Sequence, residues 1–134
     1  AQPPAPGLNP PLWLMGHLAV SYDGGLRLLG KTPACPEAWH ESFGRGSNPA
    51  EIARPHPTKA ELLAALDRGH AQLAAAAREA DATILNRPNP HPLMQATPLT
   101  TVGDLLTFIL AGHFGAHVGQ LSFCRRARGR PHMF

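Results

Sequence analysis

Cysteine is scarce in this sequence of 134 residues, and aromatic side chains make up only 6% of it. The two cysteines, Cys35 and Cys124, form no CxxC motif, so we expect reduced thiols and no disulfide framework. No apolar run approaches the roughly 20 residues of a membrane-spanning helix, and the start of the sequence has no basic and apolar signal-peptide pattern. These absences predict a cytoplasmic protein with no membrane partner.

Several catalytic motifs are missing as well. The sequence contains no GxSxG, P-loop or GxGxxG pattern, and the segment GRGS at 44–47 lacks the lysine and the strand–loop–helix context of a phosphate loop. No acidic residue lies between His113 and His117, which excludes the HExxH mechanism for that pair. The formal net charge is +3, with much of the excess in the arginines of residues 125–130. Without interleaved aromatic residues this cluster is typical of a solvated helix C-terminus, so we expect no nucleic-acid partner.

Helical periodicity dominates what the sequence does contain. Hydrophobic residues make up 43% and charged residues 16%, which is typical of one globular domain, here residues 1–134. After a Pro-rich extended arm at residues 1–10, caps and apolar stripes predict three long helices, at residues 11–30, 59 to about 80, and 101–128. The Pro- and Gly-rich stretches between them predict long loops, with one short turn near residues 37–39. No alternating strand pattern occurs, so the predicted class is all-α.

Three long helices joined by long loops leave one apolar side of a bundle uncovered. A fourth element is therefore expected, either a helix that precedes Ala1 or a helix from another chain. The second possibility predicts a homodimer.

Two histidines, His113 and His117, lie four residues apart in the last predicted helix. Residues at i and i+4 project from one face of a helix, so both imidazoles can reach one metal ion. His17, in the first predicted helix, could supply a third imidazole. Three neutral imidazoles inside a bundle would form an open, catalytic type of metal site. The same helix contains three glycines, Gly112, Gly115 and Gly119. We expect a ligand or a neighbouring backbone to approach the helix closely beside them.

Other side chains are candidates for a role near such a site. His70 lies on the predicted inward stripe of the middle helix, as a further metal ligand, as a residue of the same cavity or as a core residue, and it is also a candidate general base. Gln120 follows the histidine pair and either orients a ligand or a bound water, or makes a helix–helix hydrogen bond. Tyr22 and Asp23 come one to two turns after the first histidine, where either could serve as a general base.

The remaining cysteine and histidine residues are expected to have no part in the site. Cys124 follows His117 by seven residues, about 10 Å further along the helix axis, and is predicted to be a small core residue. Four other histidines lie beside proline or polar residues and are predicted to be at the surface, namely His40, His56, His91 and His132.

Three segments of the chain resemble a known family. Residues 9–19 (NPPLWLMGHLA) are similar to the region of the first metal-binding histidine in the DinB-like superfamily, and residues 113–121 (HFGAHVGQL) are similar to its later HxxxH motif. The ending RRARGRP at 125–131 resembles the family's usual close. The resemblance implies an up-down-down-up four-helix bundle whose first helix is missing from this chain. It also implies one divalent ion, Ni or Zn, held by His17, His113 and His117.

The resemblance and the histidine pattern lead to two functional hypotheses. One is a metal-dependent enzyme in which the ion activates a water or a low-molecular-weight thiol, giving a hydrolase or a thiol S-transferase. The other is a non-catalytic module for metal binding or dimerisation. The sequence leaves the substrate, the native metal and the general base open.

Overall fold

The structure is a computed structural model that describes residues 8–52, 54–94 and 96–131 of the chain. Its α-helices are α1 (Pro11–Leu28), α2 (Glu37–Phe43), α3 (Lys59–Glu79), α4 (Ala82–Leu85), α5 (Val102–Thr107) and α6 (Phe114–Ala127). A 3₁₀ turn at Pro92–Met94 and a π-helical segment at Phe108–His113 accompany them. Most of the predicted N-terminal arm, residues 1–7, and His132 lie outside the described residues.

The predicted all-α class is confirmed for the described ranges. They contain no β-strand, only an isolated bridge between Pro88 and Thr101. No helix in this part of the chain combines the length and the apolar character needed to cross a bilayer. The four-helix topology and a further first helix stay predictions.

Helix α1 begins and ends where the local sequence predicts. Pro11 occupies its first turn, where no backbone N–H is needed. Gly30 ends the helix with φ of 69°, a conformation that other residues rarely adopt. The interior Gly25 allows α3 to approach, because a Cβ at that position would lie 2.7 Å from a methyl group of Leu73. Helix α1 continues through the adjacent Gly24 and Gly25 without interruption.

Helix α3 is held at its start by the predicted capping box. The Thr58 hydroxyl accepts the Glu61 N–H, and the Glu61 carboxylate accepts the Thr58 N–H. The helix packs chiefly against α1, and the core between these and the last helical stretch includes Tyr22, Leu26, Leu73 and Leu106.

The last helical stretch has the predicted start but not the predicted regularity. Thr101 caps α5 together with Asp104, as expected from the sequence. Between α5 and α6 the chain adopts six residues of π-helix, so the prediction of one uninterrupted α-helix to residue 128 is wrong. A π segment widens the helix and turns the following residues to a new angle, and such segments are frequent at functional sites. Here it ends at His113.

Residues 37–43 form a two-turn helix where the sequence predicted only a short turn. Tertiary packing stabilises this helix, since Phe43 at its end is 1% exposed and packs against α1. Its ring occupies the space that a side chain at Gly16 would need. A second core forms around it from α1, α2 and α6, and Cys124 is buried there as predicted.

Candidate metal centre

Three histidines from separate elements meet at one point. His17 comes from α1, His113 from the end of the π segment and His117 from the first turn of α6. One ring nitrogen from each lies within 4.8 Å of the others. The rings of His113 and His117 have centroids 4.5 Å apart, and His17 lies 5.2 Å and 5.1 Å from them. The structure thus brings together the three residues predicted from the sequence.

His17 is fixed in position by two neighbours. Its Nδ1 lies 2.8 Å from the carbonyl oxygen of Phe43, so this nitrogen carries the hydrogen and donates it. Its ring stacks on Trp13 at 4.5 Å with the planes 9° apart, and the indole N–H of Trp13 donates to the Ser47 hydroxyl. Because Nδ1 is protonated, Nε2 keeps a free lone pair for a metal ion.

His117 is oriented in the same way by a side chain of its own helix. Its Nδ1 lies 2.8 Å from Oε1 of Gln120 and donates to it. Its Nε2 then presents a lone pair to Nε2 of His113, which is 3.0 Å away. The two nitrogens share a hydrogen bond when Nε2 of His113 carries its proton. When that proton is on Nδ1 instead, both Nε2 atoms present lone pairs, which repel unless a cation lies between them. A bound cation would be compatible with this pair of donors. The contact of Gln120 with His117 is the one expected if Gln120 orients a ligand, and that role stays a prediction.

Burial keeps two of the imidazoles neutral. Loss of hydration lowers the pKa of His113 to about 4, with the neighbouring His117 and His17 acting in the same direction. Loss of hydration also lowers the pKa of His17, although the hydrogen bond to the Phe43 carbonyl opposes it and the charges of His117 and Arg45 reinforce it. Neutral imidazole is the form that binds metals, and imidazole suits Zn and Ni.

Asp23 has a structural position and is not available as a base. The residue is 0% exposed. Its carboxylate accepts the N–H groups of Ala34 at 2.8 Å and Cys35 at 2.9 Å. Nε2 of His40 lies 3.1 Å from the same carboxylate, close enough for attraction although not aligned as a hydrogen bond.

Tyr22 and His70 lie together but away from the cluster. The Tyr22 side chain is buried, and its ring meets that of His70 edge-on at 5.6 Å. Together with Phe114 they line a separate depression. His70 itself is exposed, because the buried stripe of α3 passes through Gly69 instead, where the ring of Tyr22 packs. The prediction that His70 lies in the core or in the same cavity is wrong.

The histidines predicted to lie at the surface are also placed differently. The described ones, His40, His56 and His91, are half-buried. His40 was mispredicted because α2 turns it toward Asp23 on α1. His91 is held by Asn89, whose side chain accepts the His91 N–H and donates to the Leu99 carbonyl.

A cavity of about 410 Å³ adjoins the histidine cluster. His17 and His113 form part of its wall, and His40, Arg45 and His91 contribute to it from α2 and the loops. No pattern in the sequence predicts that the last three lie near the site. His40 lies on α2, a helix that was not predicted, and Arg45 and His91 lie in loops, of which only the proline-rich segment around His91 is marked by its composition.

No neighbouring backbone closely approaches the glycines near the pair among the described residues, so this one of the two predicted alternatives is wrong, and close approach of a ligand stays a prediction. A Cβ added at Gly115 or Gly119 would meet nothing within 4 Å among the described residues. At Gly112 it would meet only the ring of Phe108, from the same helical stretch. The surface around Gly115 and Gly119 is open in the described part of the chain.

Replacement of Gln120 by Ala is expected to weaken binding of Zn²⁺ about 10- to 100-fold, the usual effect of losing a residue that orients a ligand. Without the Oε1 acceptor, the His117 ring can rotate and exchange its tautomer. The dissociation constant should be measured by competition with a chromophoric chelator. Gln72→Ala is the matched control, because Gln72 is exposed on α3. Equal affinities of the two variants would show that Gln120 does not support the site.

Comparison with known proteins gives one match. The family model of the DinB superfamily matches residues 1–121 of the chain, a range that includes all three clustered histidines. No curated protein and no solved structure matches the chain.

Proposed function

The chain belongs to the DinB superfamily, and on this basis we propose that it is a metal-dependent enzyme whose His17, His113 and His117 bind one divalent ion. The observation that supports this most strongly is the convergence of three ring nitrogens within 4.8 Å. Two of the three rings have their ligand nitrogen selected by a partner, the Phe43 carbonyl and the Gln120 side chain. Ni or Zn suits this set of neutral imidazoles.

A three-histidine shell leaves coordination positions for a further ligand. When bound there, the ion would supply a lowered pKa for a water or a thiol, or polarise a carbonyl. The protein's own residues hold the three imidazoles, keep His17 and His113 neutral through burial and provide a cavity beside them. Hydrolysis and thiol S-transfer are the two reaction classes that this arrangement supports.

Neither cysteine lines the cavity beside the histidines. Burial, together with the negative charge of Asp23, raises the pKa of Cys35 to about 12, and Cys124 is buried. A thiol reaction would therefore use a low-molecular-weight thiol that enters from solution. Hydrolysis and thiol S-transfer would therefore differ in the co-substrate, a water or a thiol, and not in a residue of the protein.

Loading the protein with Co²⁺ tests the open coordination position. Addition of a small thiol such as 2-mercaptoethanol should produce a thiolate-to-cobalt charge-transfer band that saturates at one thiol per ion. The band should be absent from a His113→Ala variant at equal total cobalt. If the cobalt spectrum stays unchanged at saturating thiol, and also in the presence of azide, the ion has a closed shell and the enzyme proposal is wrong.

A non-catalytic metal-binding or dimerisation module is the alternative. It is favoured by the exposed apolar residues of α6, since Phe114 and Phe123 are 40% and 47% exposed beside the open surface at Gly115 and Gly119. This alternative predicts a homodimer in sedimentation experiments together with a closed metal shell. The cytoplasmic location stays a prediction from the sequence.

A further inference from the structure

The cavity beside the histidine cluster has a mostly apolar wall. Its volume of about 410 Å³ lies within the roughly 300–1,000 Å³ usual for sites that bind small organic molecules. Side chains from α1, α5 and the π segment supply most of the apolar wall, among them Val20, Leu28, Leu105, Phe108 and Ile109. A molecule that fills this space would have an apolar body.

The charged groups of the cavity wall have one sign. Arg45 lines it, and no aspartate or glutamate does so among the described residues. Nor does any described carboxylate lie within ion-pair distance of Arg45. Arg45 is exposed and also lines the cavity, so its guanidinium faces solvent beside an apolar space. This placement favours a ligand whose negative charge stays near solvent at Arg45 while its apolar body lies in the cavity.

Arg45 is held in a way that leaves most of its donors available. One of its terminal nitrogens, Nη1, lies 3.2 Å from Nε2 of His91. A guanidinium has several further N–H groups arranged as a planar fork, a shape that matches the two oxygens of a carboxylate. His91 is in turn fixed through Asn89. The contact therefore positions the guanidinium without occupying the whole fork.

We propose that the ligand of this cavity is a small organic carboxylate with an apolar body. Its carboxylate pairs with Arg45, its body lies against the apolar wall, and its remaining functional group faces His17 and His113. This assignment of substrate class rests on the proposed metal-dependent function of the same site, but carboxylate binding itself does not need the ion. One guanidinium matches a single negative charge, which favours a carboxylate over a phosphate dianion.

Isothermal titration with a matched series of eight-carbon probes tests the proposal. Octanoate, octanamide and octyl phosphate have similar apolar bodies and differ in the head group. Titrations use the full chain in metal-free form and again with one equivalent of Zn²⁺. In both forms octanoate is expected to bind at least tenfold more tightly than octanamide and more tightly than octyl phosphate.

Substitution of Arg45 identifies the group that recognises the anion. In Arg45→Gln the affinity for octanoate should fall about tenfold while that for octanamide stays within twofold. Arg126→Gln is the control, because Arg126 is exposed in the other basic region of the chain. The Arg126→Gln variant should bind octanoate with the same affinity as the unmodified protein.

Three results would overturn the proposal: equal binding of octanoate and octanamide, tighter binding of octyl phosphate, or octanoate affinity that depends on Zn²⁺ and not on Arg45. The last result would mean that the carboxylate binds the ion directly. Zn²⁺ binding is measured in the same samples without any probe. A protein that does not bind Zn²⁺ is therefore distinguished from one that does not bind the carboxylate. Selective octanoate binding by a protein that takes up no Zn²⁺ would support the carboxylate site and contradict only the proposed metal-dependent function.

Discussion

Replacing His113 with Ala is expected to weaken the binding of Zn²⁺ or Ni²⁺ by more than about 100-fold, beyond the effect of losing a residue that only orients a ligand. The reason is that, among the described residues, the group of converging metal donors consists of these three imidazoles alone. Nε2 of His113 lies 3.0 Å from Nε2 of His117, and its removal leaves a two-ligand site. Competition titration against a chromophoric chelator measures the change.

The matched control is His70→Ala. His70 is also a helical histidine, but it is exposed on α3 and contacts Tyr22 rather than the cluster. Its loss should leave metal affinity within about twofold. Circular dichroism should show that both variants keep their helices. An unchanged affinity in a folded His113→Ala protein would mean that His113 is not a ligand.

Replacing Asp23 with Ala is expected to lower the free energy of unfolding by about 3 kcal/mol or more, as when one member of a buried polar network is removed. The substitution leaves the N–H groups of Ala34 and Cys35 without their acceptor. It also removes the negative charge beside His40. Urea denaturation measures this change.

The same substitution should also weaken metal binding, through a chain of contacts. Asp23 holds the segment that leads into α2, and α2 ends at Phe43. The carbonyl of Phe43 selects the tautomer of His17. Asp67→Ala, at an exposed position of α3, should change the free energy of unfolding by less than about 0.5 kcal/mol. A stable Asp23→Ala protein with normal metal affinity would show that this network does not support the site.

The features that could be predicted from the sequence have local causes. Pro11 and Gly30 mark the ends of the first helix because each residue prefers the backbone conformation found there. Thr58 and Glu61 mark the start of α3 because both partners of the capping box lie within one turn. The pairing of His113 with His117 follows from helix geometry in the same way.

The part that His17 plays could not be derived from spacing alone. It lies almost 100 residues before the pair, and helix periodicity gives no information over that distance. The family resemblance supplied it, and the structure then shows the contacts that bring the residue there. These are the packing of Phe43 on α1 and the stacking of Trp13 on the His17 ring.

The features that were missed depend on tertiary packing. Helix α2 forms because Phe43 finds a site on α1, and no pattern in residues 31–57 reveals that. The π segment has no sequence signal that distinguishes it from α-helix. The approach of Arg45 to His91 joins two loops separated by 46 positions. Such contacts depend on how the helices are arranged, which local propensities do not determine.

X-ray absorption spectroscopy of protein purified without a His tag and loaded with one equivalent of Zn²⁺ tests whether the three histidines form an open metal site. We expect one ion per chain, bound by three imidazole nitrogens together with at least one light atom that is replaced by sulfur when a thiol is added. A shell with fewer than three imidazoles, or a failure to retain any ion, would contradict this expectation.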